Sequence, residues 1–321
     1  MCVSIIIEWK NQALAADHRA IAMLDQLRIQ WAPIARNGKV AGAAISSSCE
    51  LLFVVDSTEA RAHLDQILGN RFQDSDSDFI VRILHGEGSS YYQLKHRGAA
   101  EASGNVLVFL DSDVIPDDGW LAALLGAVSR DDVSLVCGDT YVQPDGTIGK
   151  TFAAIWFSLP SSRRTGLEVD VQCAANNLAC PASFYREHPF VDVPGANRGA
   201  LPEMRRELAT QGILMCRCPQ ARVSHPAPDG IGQVFLRGIG RGRNIYFRAR
   251  HDPDPTGLGM RVWRVQARGI SRFLRNRRAV GINALELPFA FALVCTYYGL
   301  QGIGAWLTWL APEVMRTRFQ Y

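Results

Sequence analysis

No glycine-rich nucleotide fingerprint opens this chain. A Gly-x-Gly-x-x-Gly turn after the first apolar run is missing, and so is a Walker-type loop. The segment 86–90 is rich in Gly and Ser, but it lacks the lysine and has the wrong spacing, so it reads as a turn. Rossmann-type dinucleotide binding and P-loop hydrolysis therefore lose support. Zinc-ligand spacing is also missing from the eight cysteines. Cys216-Arg217-Cys218 puts two thiols on one face of a strand, with no second pair to complete a site. Cys137, Cys173, Cys180 and Cys295 lie in apolar surroundings and read as buried free thiols, which suits a reducing cytoplasm. Met1-Cys2 runs straight into Val3-Ser4-Ile5 with no basic n-region, so no signal peptide is expected.

What the chain has is enough apolar residue for a real core, 48% of 321 positions. Its net charge of +3 hides an asymmetry. Residues 231–321 carry 14 Lys/Arg against 4 Asp/Glu, and the remainder carries 20 against 27. An acidic body joined to a basic tail implies a negative partner for the tail, nucleic acid or an anionic membrane. The expected division is 1–230 and 231–321.

Short apolar runs without alternation read as buried strands of a parallel sheet. They fall at 3–7, 51–55, 79–84, 106–110 and 133–137. Helical spacing covers 13–30 and 91–103, and a further helix starts near Trp120. Strand–helix alternation of this kind gives an α/β fold with helices on both faces. The polar stretch 71–78 has no visible role. Beyond Gly138 the pattern changes. Pro144-Asp145-Gly146 signals a turn between two short strands. A helix is expected from Pro202 to 211, with short strands at 213–215 and 221–223.

The stretch that carries chemistry is Val106-Leu107-Val108-Phe109-Leu110-Asp111-Ser112-Asp113. A buried strand ending in two acids puts them at the carboxyl edge of the sheet, where open α/β folds bind ligands. Two hard oxygen ligands there suit Mg²⁺ or Mn²⁺ shared with a diphosphate. Read plainly, the same residues are an acidic turn, with Asp117 as the cap of the next helix.

The flanking residues bear on the choice. Lys95, Gly98, Ala102, Gly104, the Leu-Asp-x-Asp, Pro116 and Trp120 form one block over 94–121. With the opening strand and the Asp56 that closes the second, it resembles a family 2 glycosyltransferase over roughly 3–226. The resemblance implies a GT-A fold: a Rossmann-like, mostly parallel sheet flanked by helices. It also implies a nucleotide-sugar donor, UDP-linked in the first instance, and Mg²⁺ or Mn²⁺. By it, Asp56 contacts the base or ribose, Lys95 lies near the diphosphate, Asp111 meets the ribose and Asp113 the metal. Glu8, which closes the first strand, joins the donor set. His225 corresponds to the histidine that closes the core and reaches the metal; as a plain alternative it caps the turn before Pro226. A divalent ion and a nearby cation would stabilise the leaving diphosphate, and a carboxylate would deprotonate the attacking hydroxyl.

Two departures stand against the family pattern. Where it has Glu-Asp, this chain has Ala196-Asn197, within Pro194-Gly195-Ala196-Asn197-Arg198-Gly199. Asn is no carboxylate base, so Asp192 and Glu203 become the candidates. The other possibility is a catalytically impaired protein that binds a nucleotide-sugar or a partner enzyme without transfer. Glu8-Trp9-Lys10 also replaces the family's Pro-Thr-aromatic.

The tail has arginines interleaved with Val262, Trp263, Ile270 and Phe273, as in amphipathic helices at a membrane surface. Any Arg-rich stretch also invites an RNA reading. The uncharged run 287–311 favours the membrane, because it is long enough to cross one. Pro288 with Gly299, Gly302 and Gly304 would permit a re-entrant break. The expected picture is an inverting transferase at the cytoplasmic face of the cell membrane. No nucleic-acid partner is expected, and such a seat implies a lipid-linked or hydrophobic acceptor.

Overall fold

The computed structural model describes residues 1–69, 71–72, 78–169, 173–252, 254 and 256–319. Of the polar stretch noted above, 73–77 lies outside the described residues. The chain divides into two units, each compact in its own contacts. The first is Met1–Thr140, Arg163–Asp192 and Ala200–Ser224; the second is Tyr141–Ser162, Val193–Gly199 and His225–Tyr321.

In the first unit β1 (Val3–Glu8) leads into helix α1 (Asp17–Asn37) and a small hairpin, β2 (Lys39–Val40) with β3 (Ala43–Ala44). Then come β4 (Cys49–Val55), α2 (Thr58–Leu68), β5 (Phe79–His85), α3 (Tyr91–Glu101) and β6 (Val106–Asp111). These long strands pair in parallel in the order β5-β4-β1-β6. Their apolar runs are continuous because both faces are covered. Ile5, Ile7, Leu51 and Phe53 point to the core shared with α1, while Ile6, Leu52, Val54 and Phe109 point to the other core. Helix α1 meets the sheet through Met23, Leu24, Leu27 and Trp31, one stripe at helical spacing, and stops at Gly38 in the left-handed region (φ 62°). Ser90 and Gln93 form a reciprocal capping box at the start of α3.

Past β6 lie β7 (Ile115–Pro116), α4 (Trp120–Val128) and β8 (Val136–Val142), whose last two residues belong to the second unit. Helix α5 (Gly146–Ile155) is followed by β9 (Glu168–Val169), β10 (Asn177–Pro181), α6 (Ala182–Glu187), α7 (Ala200–Thr210) and β11 (Cys216–His225). The sheet continues from β6 as β10-β8-β11-β7, and β10 runs antiparallel to both β6 and β8. The fold is therefore mixed but mostly parallel on the side that bears the acids.

Four expectations need correction. The strand expected at 133–137 begins at Val136 and runs on to Val142. Pro144-Asp145-Gly146 does not join two strands; Asp145 is the N-cap residue of α5, a use of turn residues that a helix entry shares. Of the two short strands expected at 213–215 and 221–223, the first does not form and the second is part of a longer one, β11, which starts at Cys216 and pairs with β9 at 216–217 and with β7 at 223–224. Cys137 and Cys173 are a disulfide with Cα atoms 5.7 Å apart, and Cys295 is exposed. A long-range pairing of that kind leaves no trace in sequence spacing.

In the second unit, α5 is joined by α8 (Gly230–His251), α9 (Leu258–Asn276), α10 (Leu287–Leu310) and α11 (Pro312–Thr317). Phe152, Trp156, Val234, Phe273 and Tyr297 form its core. Helix α10 is unbroken despite Pro288 and its three glycines, since Pro288 occupies the first turn, where no backbone donor is lost.

Two predictions follow from this packing. A Cβ on Gly138 would lie 1.9 Å from the Ala221 carbonyl oxygen, so β8 and β11 approach only because this position has no side chain. Gly138→Ala should lower stability by about 1–3 kcal/mol, read from urea denaturation. Glu50, at the start of β4, is buried, which raises its pKa. Hydrogen bonds from Ser4 Oγ (2.5 Å), the Ser103 N–H (2.9 Å) and Arg82 (2.7 Å) outweigh burial and hold the carboxyl below its ordinary value. A depressed acid stabilises above its unfolded pKa, and that contribution is lost as pH falls through the folded value. The thermal midpoint should thus drop below about pH 4.5, and Glu50→Gln should flatten that dependence.

Candidate functional site

The carboxyl ends of the parallel strands gather the acids. Glu8 stands opposite Asp111 in the β1–β6 register and opposite Val54 in β4, two residues before Asp56. Glu8 is fully buried, and its Oε2 accepts the backbone N–H groups of Lys10 (2.9 Å) and Asn11 (3.2 Å). It caps the 3₁₀ turn Lys10–Leu14 that follows β1. Asp56 is partly exposed and lies 3.3 Å from the Lys10 ammonium, which also donates to the Ser89 carbonyl.

Asp111 is the most heavily supported acid of the edge. Its Oδ1 is 2.7 Å from Lys95 Nζ and accepts the Tyr91 hydroxyl at 2.7 Å. Its Oδ2 accepts Asn11 Nδ2 at 2.8 Å. Lys95 and Asp111 are both buried, and the ammonium also rests 4.9 Å from the centre of the Tyr91 ring. Helix α3 brings Tyr91 and Lys95 to one face, being four residues apart. The lysine thus points inward, to Asp111, in this structure.

Asp113 follows in the turn between β6 and β7 and is 1% exposed. Arg19 Nε donates to its carbonyl (2.9 Å), and the same guanidinium donates to the Ser224 carbonyl (2.7 Å). One α1 side chain therefore pins the acid-bearing turn to β11. Asp117 is paired with Arg222 at 3.1 Å, and the residue at the N-cap of α4 is Gly119. Among the described residues no group of three or more His, Cys, Asp or Glu is gathered for a metal. Mg²⁺ or Mn²⁺ held through one or two carboxylates and substrate phosphates needs no such cage, so the donor chemistry of Asp113 fits an ion that arrives with a diphosphate.

The base candidates differ in availability. Asp192 is exposed and accepts Gln93 Nε2 at 3.3 Å, while Glu203, on α7, is buried and paired with Arg206. In the second unit Ala196 and Asn197 are buried; the Asn197 N–H donates to Asn244 Oδ1 at 3.0 Å, and Ala196 packs with Tyr246 and Phe247. His225 ends β11, its Nδ1 is 2.7 Å from the Pro226 carbonyl oxygen, and its ring packs on Trp156 and Phe157.

Sequence reasoning missed Asn11, Tyr91 and Arg19. A Tyr four residues before Lys95 was the one legible signal. It also missed a buried Asp139, both of whose carboxylate oxygens accept from Arg164 Nη2 (2.9 Å each), with Arg217 beside it.

A sheet of this order, with acids at the carboxyl edge of its parallel strands, is of the GT-A type. Residues 42–184 match the family model Glycosyl transferase family 2. Over 97% of its length it shares its fold with a mannosyltransferase from Pyrobaculum calidifontis solved with GDP-Man and Mn²⁺ (TM-score 0.57, 13% identity, 87% of that chain covered). It is 22% identical over 200 residues to polypeptide N-acetylgalactosaminyltransferase 12 of Mus musculus, covering 58% of this chain and 34% of that protein. It is 34% identical over 89 residues to polypeptide N-acetylgalactosaminyltransferase 5 of Caenorhabditis elegans, covering 28% of this chain and 14% of that one. The chain therefore spans about a third or less of the length of these curated relatives.

Removing Lys95 should strand a buried carboxylate. Lys95→Met is expected to cost about 3–5 kcal/mol, while the double variant Lys95→Met/Asp111→Leu should recover a substantial part. Urea unfolding of the four proteins checks the cycle; a double-variant loss equal to the sum of the two single losses would deny that the pair is coupled.

Proposed function

We propose that this protein is a metal-dependent, inverting glycosyltransferase that takes a sugar from a nucleotide diphosphate donor, UDP-linked in the first instance. The observation that carries the reading is the alignment of Glu8, Asp56, Asp111 and Asp113 along one sheet edge in a chain with a family 2 domain. Asp111, oriented by Lys95, Tyr91 and Asn11, faces the ribose. Asp56 and Lys10 flank the base. Asp113 would hold Mg²⁺ or Mn²⁺, which when bound would offset the charge on the leaving diphosphate. Asp192 is the better base: it is exposed and makes one long hydrogen bond, whereas Glu203 is engaged with Arg206. The basic, apolar C-terminal region supports a seat on the cytoplasmic face of a membrane and a lipid-linked acceptor.

A second reading, donor binding without transfer, is favoured by one observation: no carboxylate occurs in 193–199, where the family's acids would fall. Nucleoside diphosphate release with Mn²⁺ and a donor–acceptor panel separates the two. Asp113→Ala should abolish release, and Asp192→Asn should lower kcat by about 10²–10⁴-fold with the donor Kd, measured by calorimetry, unchanged. Donor binding without release by the parent protein would establish the second reading; metal-independent release would overturn the first.

A further inference from the structure

We propose that the second unit lies in the plane of an anionic bilayer, held by α9 and the outer face of α10, and that α10 does not cross the membrane. This rests on the membrane seat proposed above and adds its geometry.

By composition α10 is the one described helix long and apolar enough to span, yet 44% of its most apolar window is buried in protein. Its inner face packs along α8. Gly238 meets Tyr297 and Leu300, and Gly242 meets Gln301 and Ala305, so the two helices run in the same direction at close range. Helix α9 runs the other way beside α10. Phe273 lies near Phe291, and Gln266 Nε2 donates to the Tyr298 carbonyl at 3.0 Å. These pairings fix which residues share a level. Arg237 and Arg241 on α8, and Arg264 and Arg268 on α9, lie level with the middle of α10. Arg241, Arg264 and Arg268 are exposed. A spanning α10 would carry them into hydrocarbon.

Laid flat, the same helices fit a bilayer surface. Helix α9 has three stripes. Gly269 and Phe273 face the protein. Met260, Trp263, Ala267 and Leu274 form an exposed apolar stripe; Trp263 is 60% exposed. Arg264, Arg268 and Arg275 line the next stripe, also exposed. The outer face of α10 presents Phe289, Ile303, Trp306 and Trp309 and no charge. Apolar and indole groups beside a row of arginines match the acyl boundary and phosphates of anionic lipid. A protein partner would have to supply both an apolar sheet and a line of anions.

The test uses the full chain in a Cys2→Ser/Cys295→Ser background, with one cysteine before α10 (Leu285→Cys) or after it (Val314→Cys). Both positions are exposed. Sealed, cytoplasmic-side-out vesicles from expressing cells are treated with an impermeant maleimide. Both cysteines should label without detergent. Protection of one of them until detergent is added would establish a span and overturn the proposal. Purified protein should bind phosphatidylglycerol vesicles at least tenfold more tightly than phosphatidylcholine vesicles. Arg264→Glu/Arg268→Glu/Arg275→Glu and, separately, Trp263→Ala should each weaken that binding, with far-UV circular dichroism unchanged. Equal binding to both lipids, no effect of either variant, or a chain that stays soluble as an oligomer would overturn it. Each readout is independent of sugar transfer, so an inactive protein can still pass.

Discussion

A carboxylate buried at the end of a sheet is tolerable only if the fold supplies its counter-charge. Asp111 is that carboxylate, and Lys95 is its counter-charge. The desolvation of both ions is offset by their short contact together with the Tyr91 and Asn11 hydrogen bonds. Those four residues come from β6, α3 and the loop after β1, so satisfying one acid ties three elements together at the carboxyl rim of the sheet. Asp113, two residues on, inherits a fixed position from this knot and from the Arg19 clamp on its carbonyl. Preorganisation of this kind is what a site needs if charge is to be stabilised without rearrangement at the moment of reaction.

The second unit repeats the device with the opposite sign. Arg243 is buried in α8, and burial pushes its pKa down to about 10. Its guanidinium donates to the Met315 and Arg316 carbonyls at the end of α11 and to Asn244 Oδ1. Those carbonyls are the unpaired acceptors of a helix terminus, which a cation satisfies well. Asn244 also receives the Asn197 N–H, so the segment 193–199 is held by an arginine-centred network. Ala196 and Asn197 are thus buried and anchored by a specific bond.

Much of the first unit was legible because buried parallel strands need unbroken apolar runs. Val3–Glu8, Cys49–Val55 and Val106–Asp111 all stand where such runs occur. The edge acids were legible for the same reason, since each closes such a run. What sequence could not show was long-range. The Cys137–Cys173 pairing, the ten-residue extent of β11, and the partners of Asp111 all depend on contacts between distant segments. Turn chemistry misled at Pro144-Asp145-Gly146, because the residues that break a chain also start a helix. The inward aim of Lys95 was hidden too: a lysine beside a phosphate-binding edge reads as a ligand until its partner is seen.

The hydropathy of α10 shows why composition and topology come apart. An amphipathic helix announces itself when its inner face is apolar and its outer face polar. Here both faces are apolar, so the period vanishes and the segment scores as a span. Its neighbours restore the missing information. Each exposed arginine placed at the centre of a bilayer costs about 2.5–3.5 kcal/mol by insertion scales, and three, Arg241, Arg264 and Arg268, lie level with the middle of this helix. Burial of the α10 outer face would have to repay all three, while an in-plane orientation gains the apolar contact and sets Arg264 and Arg268 among phosphates. The cost of charge in hydrocarbon, applied to the packing of three helices, decides the orientation that the length of one helix leaves open.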